Sequence, residues 1–71
     1  MDKKKKFAEN LKALRKECRW SQQDLALKVH CTQQCISQWE NMQIEPTLSS
    51  LWVLAEAFEI SVDELIGKVD F

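Results

Sequence analysis

The chain has little of what usually breaks a fold into loops. Its 71 residues include one glycine, one proline, one histidine and no tyrosine. That scarcity excludes collagen-like, linker-rich and low-complexity disordered architectures. No apolar run approaches the ~20 residues needed to span a bilayer. Met1 to Lys6 is basic, but charges interrupt Phe7 to Arg19, so no secretory leader is expected and the expected compartment is the cytoplasm. Lysine and arginine are missing between Val29 and Gly67. With a single histidine, no glycine-rich loop and no acid–base constellation, nothing meets the geometric requirements of catalysis, and no enzyme is expected. The three cysteines cannot all pair within the chain. Cys31 and Cys35 lie four apart beside His30, but the second CxxC or HxxxH cluster of a zinc site is absent, and Cys18 could join only if the fold brought it close. The expectation is free thiols in a reducing compartment, with no metal, cofactor or small-molecule ligand.

Apolar residues make up 45% of the chain and charged residues 30%. This is enough for a globular domain, and the length allows only one. A chain this short buries roughly 60% of its unfolded surface and is stable by only ~3–5 kcal/mol. The net charge of −1 hides an asymmetry: residues 1–28 carry nine cations and four anions, whereas residues 29–71 carry one and seven. A nucleic-acid partner would favour a stronger basic footprint, and only half of one is present.

The apolar pattern is helical throughout. Phe7, Leu11, Leu14 and Cys18 follow one helix face, as do Leu25, Ala26 and Val29; Ile36 and Trp39; Leu48, Leu51, Ala55 and Phe58, with Leu54 on the flank; and Val62, Leu65 and Ile66. Start signals precede these stripes. Ser21 with Asp24, and Ser61 with Glu64, have capping-box spacing. Thr32 and Thr47 are plain N-caps, and Pro46 blocks any helix arriving from upstream. The spacing predicts helices near 7–18, 22–29, 33–41, 48–58 and 62–67. The expected fold class is all-α, a compact five-helix bundle over 7–67, with a flexible basic arm at 1–6 and a short tail at 68–71. Only His30, Cys31 and Thr32 separate the second and third helices, so that pair reads as a helix-turn-helix.

The stretch from Ser21 to Asn41, SQQDLALKVHCTQQCISQWEN, resembles the helix-turn-helix of the Cro/CI (Xre-type) DNA-binding family, and Thr32 to Ile36 is similar to lambdoid phage repressors. Leu14-Arg15-Lys16, Trp39-Glu40-Asn41, Pro46-Thr47-Leu48 and Ser61 to Leu65 match further blocks in order, so the likeness runs from about Phe7 to Ile66. The resemblance implies a lambda-repressor-like domain and a sequence-specific regulator of double-stranded DNA, a repressor, reading the major groove with helix 33–41. Ile36 and Trp39 would face the core. Gln33, Gln34, Ser37 and Gln38 would then face base edges, where glutamine can pair bidentately with adenine. Gln22, Thr32, Asn41 and Arg15 would contact phosphates, and Arg15 with Glu40 would form a structural pair linking the first helix to the end of the third. The rival implication is a protein-interaction module of the same fold, of antitoxin or anti-repressor type, for which the acidic 40–64 segment speaks.

Two departures from the family pattern matter. Where the family favours glycine, this chain has Arg19, His30, Met42 and Glu59, so the backbone is either strained there, at φ > 0, or altered. The loop Met42 to Glu45 lacks the cations that usually grip phosphate, so binding by a monomer should be weak. A homodimer on a near-palindromic operator is therefore expected, forming possibly only on DNA. Its interface is placed at Ile44, Trp52, Val62 and Ile66, with Val69 and Phe71 of the tail; the alternative is that Trp52 and Phe71 fold onto the monomer's own core.

Overall fold

The computed structural model describes residues 3–67. Five helices follow one another: α1 (Lys3–Glu17), α2 (Gln22–Lys28), α3 (Gln33–Glu40), α4 (Leu48–Phe58) and α5 (Val62–Ile66). There is no strand among the described residues, and none of their helices is long and apolar enough to cross a membrane. The bundle is all-α, as the periodicity predicts. Its first helix starts earlier than expected: Lys3 to Lys6 form the opening turn of α1 rather than a separate arm. Lysine is a good helix former, and Phe7 and Ala8, both buried, anchor the turn that these residues extend. The tail at 68–71, with Val69 and Phe71, lies outside the described residues.

The caps are where the sequence places them. Ser21 and Ser61 form reciprocal capping boxes with Asp24 and Glu64. Thr32 and Thr47 accept the amides of Cys35 and Ser50. The Ser21 amide and hydroxyl hold the Asp24 carboxyl below the usual carboxylate range.

The helix ends resolve the glycine question in favour of strain. Arg19, His30, Met42 and Glu59 have φ of 60°, 58°, 61° and 58°. Each is the left-handed residue that turns the chain out of a helix, and reversed hydrogen bonds close these turns. Trp20 donates to Arg15 O and Arg19 to Lys16 O, Cys31 to Ala26 O, Gln43 to Gln38 O and Met42 to Trp39 O, and Ile60 to Ala55 O and Glu59 to Glu56 O. These are Schellman closures built without glycine. The one glycine ends α5, at φ 76°, where a Cβ would meet Lys6 Cγ at 2.5 Å and Asn10 Nδ2 at 2.8 Å. Gly67 thus lets the end of α5 lie against α1, and Asn10 donates to Leu65 O there.

Leu11, Leu25, Ala26, Ile36, Leu54 and Leu65 are completely buried at the centre, with Phe7, Val29, Trp39 and Ala55 around them. α1 packs on α3 and α5, α2 on α3, and α4 on α5. Trp20 stacks on Phe58 with ring centroids 5.4 Å apart, and the Lys28 ammonium sits 4.6 Å above it. Trp20 therefore ties the turn before α2 to α4. Three expectations change. Leu54 is the centre of its helix's core face rather than its flank, while Leu48 is 65% exposed. Leu48 shares a face with Ala55 but is the first residue of α4, so its axial position, not its angle, leaves it in solvent. Cys18, at the far end of the α1 stripe, is exposed for the same reason.

Candidate nucleic-acid interface

The α2–α3 pair is held together from inside. Ala26 and Ile36 are fully buried, and the Cys31 amide donates to Ala26 O at 2.9 Å. With Ile36 and Trp39 committed to the core, the outer side of α3 carries the four residues expected there. Gln33 and Gln34 are exposed at its first turn; Ser37 and Gln38 are half-buried further along.

A chain of polar contacts leads from the bundle's interior to Gln33. Arg15 Nε lies 2.7 Å from Glu40 Oε2, with side chains only 11% and 3% exposed. Arg15 Nη2 donates to Glu40 Oε1 at 3.2 Å, and Nη1 to Trp20 O at 2.8 Å. Gln22 Nε2 donates to the same Glu40 Oε1 at 3.2 Å. Gln22 Oε1 in turn accepts from Gln33 Nε2 at 3.5 Å. The amide orientation of Gln22 follows from the carboxylate, since only its NH2 can face Glu40. Its oxygen is then left for Gln33. No side-chain N or O atom is buried without a partner among the described residues.

The Arg15–Glu40 pair is thus as expected, but the phosphate contact expected of Arg15 is not supported. All three of its nitrogens point to Glu40 and Trp20, on the inside of the domain. Gln22 occupies a position the sequence reading did not assign: it links the ion pair to the first residue of α3. No local pattern could have revealed this, because Gln22, Gln33 and Glu40 are 11 and 18 residues apart. Thr32 is exposed with its hydroxyl oxygen occupied by the Cys35 amide at 3.1 Å, and Asn41 is exposed with Nδ2 donating to Ser37 Oγ at 3.2 Å.

The residues expected at a subunit contact divide. Ile44 is 40% exposed and Trp52 60%, so Trp52 does not fold onto the core. Val62 and Ile66 are half-buried and pack against the core of their own chain. Two exposed apolar residues, Leu48 at 65% and Val53 at 37%, flank Trp52 on α4 and were not anticipated at an interface. Among the described residues, no group of three or more His, Cys, Asp or Glu could hold a metal ion.

This geometry agrees with comparisons to known proteins. A helix-turn-helix family model matches residues 11–65. Among solved structures, the P22 c2 repressor protein in complex with synthetic operator 9T is 34% identical, with a TM-score of 0.79 over 83% of this chain and 89% of that one. A comparison with curated protein sequences found no match. The chain belongs to the Cro/CI-type helix-turn-helix family. It is a DNA-binding regulator, not an enzyme.

Proposed function

We propose that the chain is a cytoplasmic repressor that reads a near-palindromic operator as a twofold dimer, with α3 of each copy in the major groove. The observation that carries this reading is Gln33, exposed at the N-terminus of α3 and tethered through Gln22 to the Arg15–Glu40 pair. A side chain aimed at a base edge gains specificity when its rotamer is fixed beforehand. Gln33 and Gln34 supply the bidentate contacts to adenine, Ser37 and Gln38 the flanking ones. Gln22, Thr32 and Asn41 line the phosphates beside them. The likeness to a repressor bound to an operator supports the same assignment.

One recognition helix covers a half-site, and a dimer spans two, about 34–36 Å apart. Ile44, Leu48, Trp52 and Val53 supply the exposed apolar surface for the subunit contact, and Val62 and Ile66 support it from below. The test is a binding titration against an operator library. Gln33→Ala and Gln34→Ala should each relax base preference by ~1–3 kcal/mol at one position. Unchanged preference in both variants would mean that α3 is not the reader. Full-site and half-site duplexes, compared for the wild type and Trp52→Lys, test the dimer. Equal affinity per half-site, unaffected by the substitution, would mean independent monomers. Trp52 is the better probe than Ile66, whose side chain also supports the fold.

A further inference from the structure

We propose that Cys31 and Cys35 form a dithiol modification site at the start of α3, which a hydroperoxide closes into an intramolecular disulfide that displaces Gln33 and Gln34. The displacement rests on the base-reading role given to those glutamines; the site itself does not.

The placement follows from the cap. Cys31 immediately precedes the N-cap Thr32, and Cys35 is the third residue of α3, donating its amide to Thr32 Oγ1. Both side chains are half-buried and pack against the same core. The two thiols hydrogen-bond one another, and Cys31 Sγ also lies 3.7 Å from Thr32 O. Cys18 is exposed on α1 and takes no part in this pair. Burial, then the adjacent Cys35, pushes the Cys31 thiol up to about 11. Cys31 therefore keeps its proton at neutral pH, which assigns attack on the oxidant to Cys35.

The chemistry balances with one hydroperoxide. The Cys35 thiolate attacks the O–O bond, giving a sulfenic acid, and the alkoxide or hydroxide leaves with a proton from solvent. Cys31 sulfur then attacks the sulfenic sulfur; the hydroxyl departs and takes the Cys31 proton as water. Two thiols lose two electrons to the peroxide. Sulfurs in hydrogen-bond contact are about 1.5–2 Å farther apart than the ~2.05 Å of a disulfide. Closing that gap must move the residues enclosed by the bridge, Thr32, Gln33 and Gln34, by on the order of an ångström, enough to spoil hydrogen bonds to base edges.

The experiment uses the full chain with one equivalent of hydrogen peroxide, followed by iodoacetamide and trypsin. With no Lys or Arg between Val29 and Gly67, cleavage after Lys28 and Lys68 isolates residues 29–68, which contain Cys31 and Cys35 without Cys18. The expected fragment is two hydrogens lighter and unalkylated. Operator affinity should fall about 10- to 100-fold and return with dithiothreitol. Cys18→Ser should behave identically. Cys31→Ser and Cys35→Ser should form no such bridge. A doubly alkylated fragment after peroxide, or a bridge to Cys18, overturns the site. A bridged protein with unchanged operator affinity and unchanged Gln33 and Gln34 side-chain amide resonances overturns the displacement. If the reduced protein has no base preference, the DNA reading fails instead, and fragment mass and amide resonances still decide the dithiol site.

Discussion

Replacing Glu40 by leucine tests the polar core most directly. The carboxylate accepts two bonds from Arg15 and one from Gln22, and its side chain is 3% exposed. Its removal strands a guanidinium that is itself 11% exposed, with only Trp20 O left as partner. Breaking a buried pair from one side costs ~3–5 kcal/mol. That equals the whole stability expected of a domain this small, ~3–5 kcal/mol, so Glu40→Leu should be largely unfolded at 37 °C. Replacing both partners, in Arg15→Met/Glu40→Leu, removes the stranded charge and should recover most of the loss, since apolar replacement of a buried pair is commonly neutral or better. Urea and thermal melts followed by circular dichroism measure both variants. The double variant separates stability from recognition, because it folds while Gln22 no longer has a carboxylate to fix it. Base discrimination at the position read by Gln33 should weaken even though the helices are intact. A Glu40→Leu protein that loses less than ~1 kcal/mol would place the pair in the range of exposed ion pairs, and the argument from burial would be refuted. A stable double variant with full discrimination would refute the role of Gln22 as a tether.

The left-handed helix ends make a prediction of opposite sign. Met42→Gly and Glu59→Gly should each stabilise the fold by about 0.5–1 kcal/mol, relief of the φ > 0 conformation outweighing the added freedom of the unfolded chain; the melting temperature should rise by several degrees, and a fall would show that the positions are not strained. Thr32→Ala removes the cap of α3 and should cost ~1 kcal/mol, with amide exchange at Cys35 accelerating first. Asp24 has a folded-state pKa lowered by its bonds to Ser21, so its contribution is present above the unfolded value of ~3.9 and is lost as pH falls through the folded one. Asp24→Asn should therefore flatten the acid limb of stability against pH, and an unchanged limb would dismiss the capping box as a source of pH dependence.

The fold was legible because its signals are local. Ser21, Thr32, Thr47 and Ser61 start helices wherever they precede an apolar stripe, and capping geometry depends on three or four adjacent residues. Arg19, His30, Met42 and Glu59 were identifiable as the places where glycine was missing, and all four adopt the conformation that glycine would favour. Only strain or alteration could be named beforehand, since the hydrogen bonds that over-determine each turn come from the completed helix. What sequence could not give was direction and depth. Arg15 matched both a phosphate contact and an ion pair, and its inward course from α1 decides for the pair. Leu48 and Leu54 have similar apolar signals, yet one is in solvent and the other at the centre. Gln22 joins Gln33 across two helices, a relation fixed by the α2–α3 crossing and by nothing in their spacing.

The placement of charge gives the proposed recognition its particular form. Each phosphate neutralised by a cation steepens the dependence of log affinity on log salt by about 0.9, and the segment from Val29 to Gly67 has no lysine or arginine to do this. Of the cations that precede it, Arg15 is spent on Glu40 and Lys28 lies over Trp20. Phosphate attraction that is weak lowers affinity for every sequence alike, whereas base contacts act only at the correct site. A reader of this kind depends on fixed side chains more than on charge, and the buried pair, Gln22 and Gln33 form one continuous support for that purpose. It also depends on doubling the contacts. Two copies joined through the exposed face of Leu48, Trp52 and Val53 would read two half-sites, recovering through the second recognition helix the affinity that the missing cations withhold from the first.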